Sequence, residues 1–157
     1  MTSVTAGEAA RHCCTGLREE LGRRLPPGET IFFGPDLAGG AAPEIVRLRE
    51  RGAHFYWVAL PIGRVSFWDA HVGVVVDPET LIATVGIHHS RDSVEAARMF
   101  AGLAPVFASR RLVHCTSEAA DEEQWNGSPL DVSSPEGVRA ASGELVALLE
   151  AARTSAR

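Results

Sequence analysis

From His54 to Ser90 the chain alternates apolar and polar residues in three runs. The runs are separated by Pro61-Ile62-Gly63-Arg64 and by Asp77-Pro78-Glu79-Thr80. A period of two, with aromatic and β-branched residues in each run, predicts strands, and the two breaks predict turns. Residues 53–90 are therefore expected to form a three-stranded antiparallel meander. If each break is a four-residue loop, Val76 opposes Leu81 and Val72 opposes Val85, while Leu60 opposes Val65 and Trp57 opposes Trp68. Directly opposed residues share a face, and faces alternate along a strand. One face then carries Phe55, Trp57, Ala59, Trp68, Ala70, Val72, Val74, Val76, Leu81, Ala83, Val85 and Ile87. This apolar face is the expected core side, to be covered by helices.

The flanking elements follow from caps and 3.6-residue periodicity. Thr5 and Glu8 read as a capping box. Ala10, Cys14, Leu17, Leu21 and Leu25 then recur at helical spacing until Pro26-Pro27. Ile31-Phe32-Phe33 reads as a short strand, and the Gly-rich stretch 34–42 as a connector. Pro43 and Gly52 bracket an expected short helix through Ile45 and Leu48. Asp92 or Ser93 caps another helix, whose expected stripe is Val94, Ala97, Ala101 and Ala104, widened by Phe100 and stopped by Pro105. Arg111 to Thr116 reads as a strand and 117–133 as an acidic surface loop. Ser134-Pro135-Glu136 opens a last helix with Val138, Ala141, Leu145, Leu148 and Ala152 on one side. The expectation is one α+β domain over 1–157, its meander extended by one or two further strands, with helices on one face.

Composition narrows the chemistry. Of 157 residues, 45% are hydrophobic and 22% charged, an ordinary globular balance. The net charge of −5 offers no electrostatic footprint for a phosphate backbone, so no nucleic-acid partner is expected. Every basic residue is Arg. A Schiff-base lysine, a P-loop lysine and a nuclease lysine are thereby excluded. The N-terminus has no basic segment followed by an apolar run, and no stretch matches a membrane span. Together with three cysteines, Cys13, Cys14 and Cys115, this leads us to expect free thiols, a cytoplasmic location and no membrane partner.

The second face of the meander collects the reactive side chains. In the register above, His54 opposes His71, and Tyr56 opposes Asp69, which opposes His88; Gly73 and Gly86 leave room among them. Three histidines and a carboxylate are ligands that suit a divalent transition metal, so His54, His71, His88 and Asp69 are the candidate metal set. Without a metal, Asp69 can orient His71 or His88 as a general base while Tyr56 donates to a developing oxyanion. A solvated sheet face also carries polar residues. Arg and Glu are absent from the inner part of these strands, however, which favours a site. Trp57 and Trp68 are expected in the core. His114 and Cys115 point to opposite faces of their strand and cannot act together.

The element order is similar to the restriction-nuclease-like core and to the small acidic secretion-chaperone fold. The nuclease motif of a carboxylate followed by an acid-x-Lys pair is absent, and strand Leu81 to Ser90 has no Asp or Glu. The chaperone resemblance rests on acidity and topology and implies a dimer that binds partner segments. The leading expectation is a small enzyme acting on a small molecule through His54, Tyr56, Asp69, His71 and His88. The alternative is a non-catalytic, homodimeric interaction module using a sheet face or the segment around Trp125.

Overall fold

The computed structural model describes residues 6–34, 45–47, 56–63, 65–117 and 122–155. Helix α1 runs from Ala6 to Arg24 and helix α4 from Pro135 to Ser155. They lie against each other and against the middle of the sheet. Their apolar stripes follow the 3.6-residue period. Ala10, Cys14, Leu17 and Leu21 of α1 are buried, as are Ala141, Leu145, Leu148, Leu149 and Ala152 of α4. Two shorter helices, α2 (Val94–Gly102) and α3 (Ala104–Ser109), cover β5 and α4. The Ser93 hydroxyl caps α2 by accepting from the Ala96 N–H at 3.1 Å, as Ser93 leads one to expect.

Among the described residues the sheet has eight strands: β1 (Ile31–Gly34), β2 (Ile45–Arg47), β3 (Tyr56–Pro61), β4 (Ala70–Val76), β5 (Ile82–Ser90), β6 (Val113–Ser117), β7 (Glu122–Asn126) and β8 (Leu130–Asp131). Their order across the sheet is β2-β1-β3-β4-β5-β7-β6, and β8 shares the β5 edge with β7. Among the described residues only β2, on β1, pairs in parallel. The α+β class, the antiparallel meander β3-β4-β5 and the packing of helices on one face are as expected.

Four local expectations are corrected. Residues 45–47 form a strand rather than a helix, because Ile45 and Val46 are β-branched and β1 offers them an edge; the rest of that expected helix, and the connector at 35–42, lie outside the described residues. Within 117–133, expected as a loop, stand β7 and β8. On α2 the buried side chains are Ala96 and Phe100, whereas Val94 is 66% exposed. Pro105 does not stop the chain but opens α3 near its first position, where the missing N–H is harmless.

The meander register carries the largest correction. Asp77 Oδ1 accepts from the Glu79 N–H at 2.8 Å, and Leu81 takes a left-handed φ of 55°. Val76 therefore opposes Ala83 rather than Leu81. Each strand shifts by an even step, so Val72, Val74, Val76, Ala83, Val85 and Ile87 keep their common, helix-covered face. Between β3 and β4 the connection is not Pro61–Arg64 but the longer 62–69. Leu60 opposes Val72 instead of Val65, an odd displacement. An odd displacement turns a strand over. Tyr56, Val58 and Leu60 thus face the helices, while Trp57 and Ala59 face away.

Arg153 locks that connection. Near the end of α4, its guanidinium donates to both carboxylate oxygens of Glu29, at 2.7 and 3.0 Å. It also donates to the carbonyls of Pro61 at 2.9 Å and Ile62 at 3.3 Å. One planar fork holds the end of β3 against the segment that follows α1.

Candidate functional site

The face of the sheet turned away from the helices is a layer of aromatic, small and polar side chains. Reading across the strands, one row is Phe32, Ala59, Gly73, Gly86, Asn126 and Val113. A neighbouring row is Pro61, His71, His88, Gln124 and Cys115. Phe67, from the connection before β4, folds over both rows. It stacks on Phe32 with centroids 3.8 Å apart and on His71 at 4.5 Å. His71 meets His88 edge to face at 5.1 Å. Ala59 and Phe67 are buried, and Phe32 and Trp57 pack against them as a small second cluster.

Two of the five sequence-derived candidates therefore meet. His71 and His88 are a directly opposed pair on β4 and β5. His71 Nδ1 lies 3.1 Å from the Phe67 carbonyl oxygen. Burial pushes the His71 imidazole down to about 4, against the smaller upward pull of that carbonyl. Burial likewise pushes His88 down to about 3, helped by the neighbouring His71 and opposed by a hydrogen bond with the Asn126 side chain. Asn126 also donates through Nδ2 to Gln124 Oε1 at 3.3 Å. Both rings are thus neutral at physiological pH.

The other candidates stand elsewhere. Tyr56, expected beside Asp69, sits on the opposite face, because β3 is turned over. Its hydroxyl reaches α1, only 2.7 Å from where a β-carbon on Gly7 would stand. Asp69 closes the turn 67–69: its amide donates to the Ser66 carbonyl at 2.9 Å, and its own carbonyl accepts from the Ser90 N–H at 2.8 Å. Among the described residues no hydrogen bond joins its carboxylate to either histidine. His54 lies outside the described residues. No group of three or more His, Cys, Asp or Glu side chains placed to hold a metal occurs among the described residues. Trp57, expected on the core side, lies over Gly34 on the helix-free face. Trp68, expected beside it, is 67% exposed in the turn.

The glycines of this face are explained by neighbours in the chain itself. A β-carbon on Gly86 would collide with the Asn126 side chain and come within 2.5 Å of the Trp125 carbonyl. One on Gly73 would meet the Ala59 methyl at 3.3 Å. The space that looks like room for a ligand in the sequence is filled by packing.

A second feature escapes sequence reading. β6 ends the strand order, and among the described residues nothing pairs with its outer edge. The direction of its backbone groups follows from the ladder. The Gly127 N–H donates to the Val85 carbonyl at 2.8 Å, so Val85 and Gly127 are a hydrogen-bonded pair. Such pairs alternate along antiparallel strands. Gly127, Trp125 and Glu123 therefore turn their backbone to β5, and Asn126, Gln124 and Glu122 to β6. Opposite them, Val113, Cys115 and Ser117 bond inward. The backbone N–H and C=O groups of His114 and Thr116 point away from the sheet. Val113 is 64% exposed, and His114 and Cys115 are exposed as well. The His114 ring is held on the helix side by Glu123 Oε2 at 2.5 Å and by Trp125, with ring centroids 4.7 Å apart. Trp125 in turn stacks on Phe107 of α3 at 4.3 Å.

The class defined by these observations is an α+β protein with a one-sided helical layer and an open edge strand. Compared with protein-family models, with curated proteins and with solved structures, the chain matches none.

Proposed function

We propose that this protein is a non-catalytic interaction module that binds an extended backbone segment by adding it to the outer edge of β6. The observation that carries this reading is that, among the described residues, nothing pairs with that edge. Sheets protect open edges with charged side chains, proline or bulges, because unpaired N–H and C=O groups recruit other strands. Val113-His114-Cys115-Thr116-Ser117 has no Asp, Glu, Lys, Arg or Pro. Its outward donors and acceptors are those that strand addition uses for affinity, and its exposed side chains supply selectivity.

The histidine pair is better read as part of the packed aromatic layer than as an acid–base site. A general base works best with a pKa near the working pH. His71 and His88, held at about 4 and about 3, bind protons weakly there. The phenol expected to assist them, Tyr56, reaches α1 on the opposite face, and among the described residues no hydrogen bond joins the Asp69 carboxylate to either ring.

The test is selection of peptides from a displayed random library on the whole protein, followed by hydrogen exchange. Selected peptides should protect the His114 and Thr116 amides, leaving those of Val113 and Cys115 as slow as before. His114→Pro removes one outward donor without touching the β6–β7 ladder, and should abolish binding. Peptides that bind wild type and His114→Pro equally well would refute this reading.

A further inference from the structure

We infer that the segment added to β6 is the β6 strand of a second copy of this chain, in antiparallel register about a two-fold axis through Cys115. This inference rests on the strand-addition reading and names its partner. The outward groups belong to His114 and Thr116, so hydrogen-bonded pairs across the new seam must join residues of even number. An axis through Cys115 meets that requirement, pairing His114 of each copy with Thr116 of the other. Cys115 then opposes itself as a non-hydrogen-bonded pair, the closer kind, at roughly 4.5 Å between α-carbons. That spacing lies at the short end of the range a disulfide spans.

Charge favours a second copy. The strand has no Asp, Glu, Lys or Arg, so opposing it to itself sets no such like charges together. Arg111, and Arg110, which also lies 3.8 Å from Glu144, precede β6 at one end. At the other end the hairpin partner β7 carries Glu122 and Glu123, opposite Ser117 and Thr116, with Glu123 also bound to His114 and to Arg91 at 3.2 Å. Antiparallel pairing sets the basic end of each copy beside the acidic end of the other, twice over. Parallel pairing would set like beside like. An isologous contact of this sort closes on itself as a dimer and exposes no new edge. Five residues per copy bury less than the roughly 1,200–2,000 Å² of a standard interface, so the dimer is a concentration-dependent equilibrium.

Sedimentation equilibrium of the whole chain over a wide concentration range tests the pairing, with three variants and a cross-linking arm. Wild type should pass from monomer to dimer, and His114→Pro should remain monomeric. Diamide, which takes up the two protons and two electrons released by two thiols, should trap the dimer through Cys115. Cys115→Ser should dimerise but not cross-link. Cys115→Asp places two carboxylates across the axis and should weaken the dimer about fivefold. Mixing Cys115→Asp with Cys115→Arg should restore association as a heterodimer. Cys115 is exposed, so these variants keep the fold even where His114→Pro does not. A wild type that stays monomeric while selected peptides still protect His114 and Thr116 overturns the second-copy inference and leaves strand addition standing. A monomer that captures no such peptide overturns both. A dimer indifferent to charge at position 115 places the contact elsewhere and also overturns the inference.

Discussion

His71 and His88 face each other across β4 and β5 with ring centroids 5.1 Å apart, and burial holds both imidazoles below their ordinary range. The relationship makes stability sensitive to acid. Both imidazoles are depressed by burial, to about 4 and about 3. An unfolded histidine titrates near 6.5. Between those values the unfolded chain holds more protons than the folded one, so stability rises with pH there. The contribution is complete above about pH 7 and is lost as pH falls through 6 toward 4. The melting temperature should drop between pH 7 and pH 5, and His71→Phe with His88→Gln should flatten that slope. Equal slopes in melts of the two proteins would show that the pair is not buried in the neutral form.

Removing one ring should cost stability. His71 stacks on Phe67 and fills the layer beside Phe32. His71→Ala should destabilise by about 1–3 kcal/mol in denaturant melts, above the ~0.5 kcal/mol of a solvated surface change. A change within the smaller figure would place the ring in water.

Val72 is fully buried on the helix-covered face. Val72→Asp buries a carboxylate without a partner and should cost about 4 kcal/mol or more, enough to leave little folded protein. Far-ultraviolet circular dichroism of the purified variant decides it, since a native spectrum and an unchanged melt would reverse the assigned faces.

Two glycines should respond with opposite signs. Gly86→Ala drives a methyl into Asn126 and the Trp125 carbonyl and should destabilise, because the second is backbone and cannot swing aside. Gly143 lies inside α4, where a methyl would meet only the Arg24 guanidinium at 3.6 Å. Gly143→Ala should stabilise by about 0.5–1 kcal/mol by reducing the freedom of the unfolded chain. Urea midpoints of both variants against wild type test the pair.

Arg153→Lys keeps the charge but loses the planar fork that reaches Glu29, Pro61 and Ile62 together. A loss of about 1–2 kcal/mol is expected, together with faster amide exchange near Ile62. A melt and exchange pattern equal to wild type would reduce the clamp to a surface ion pair.

Local pattern alone determined much of this molecule. The stripes of α1 and α4, the Ser93 cap, strand β1 and the meander are legible because each depends on residues within a few positions of one another. The inward face of β4 and β5 was legible too: Val72, Val74, Val76, Ala83, Val85 and Ile87 survive a register error of even size, since side chains repeat every two residues. The same period made β3 illegible. Val65 and Phe67, apolar at alternate positions of the 62–69 connection, read as the start of β4, and the odd displacement sends Tyr56 to the helices and Trp57 to the far face. That inversion takes Tyr56 away from the expected cluster, while His71 and His88 stay directly opposed. β7 was hidden for another reason: Glu-Glu-Gln-Trp-Asn has one apolar side chain, and its place as a strand comes from the ladders with β5 and β6 and the packing of Trp125 on Phe107. Which strand stands at the edge is not a local property at all. The segment 113–117 reads as a strand from its own residues, but its unpaired outer edge follows from β7 inserting between it and β5, a pairing that the tertiary structure alone decides.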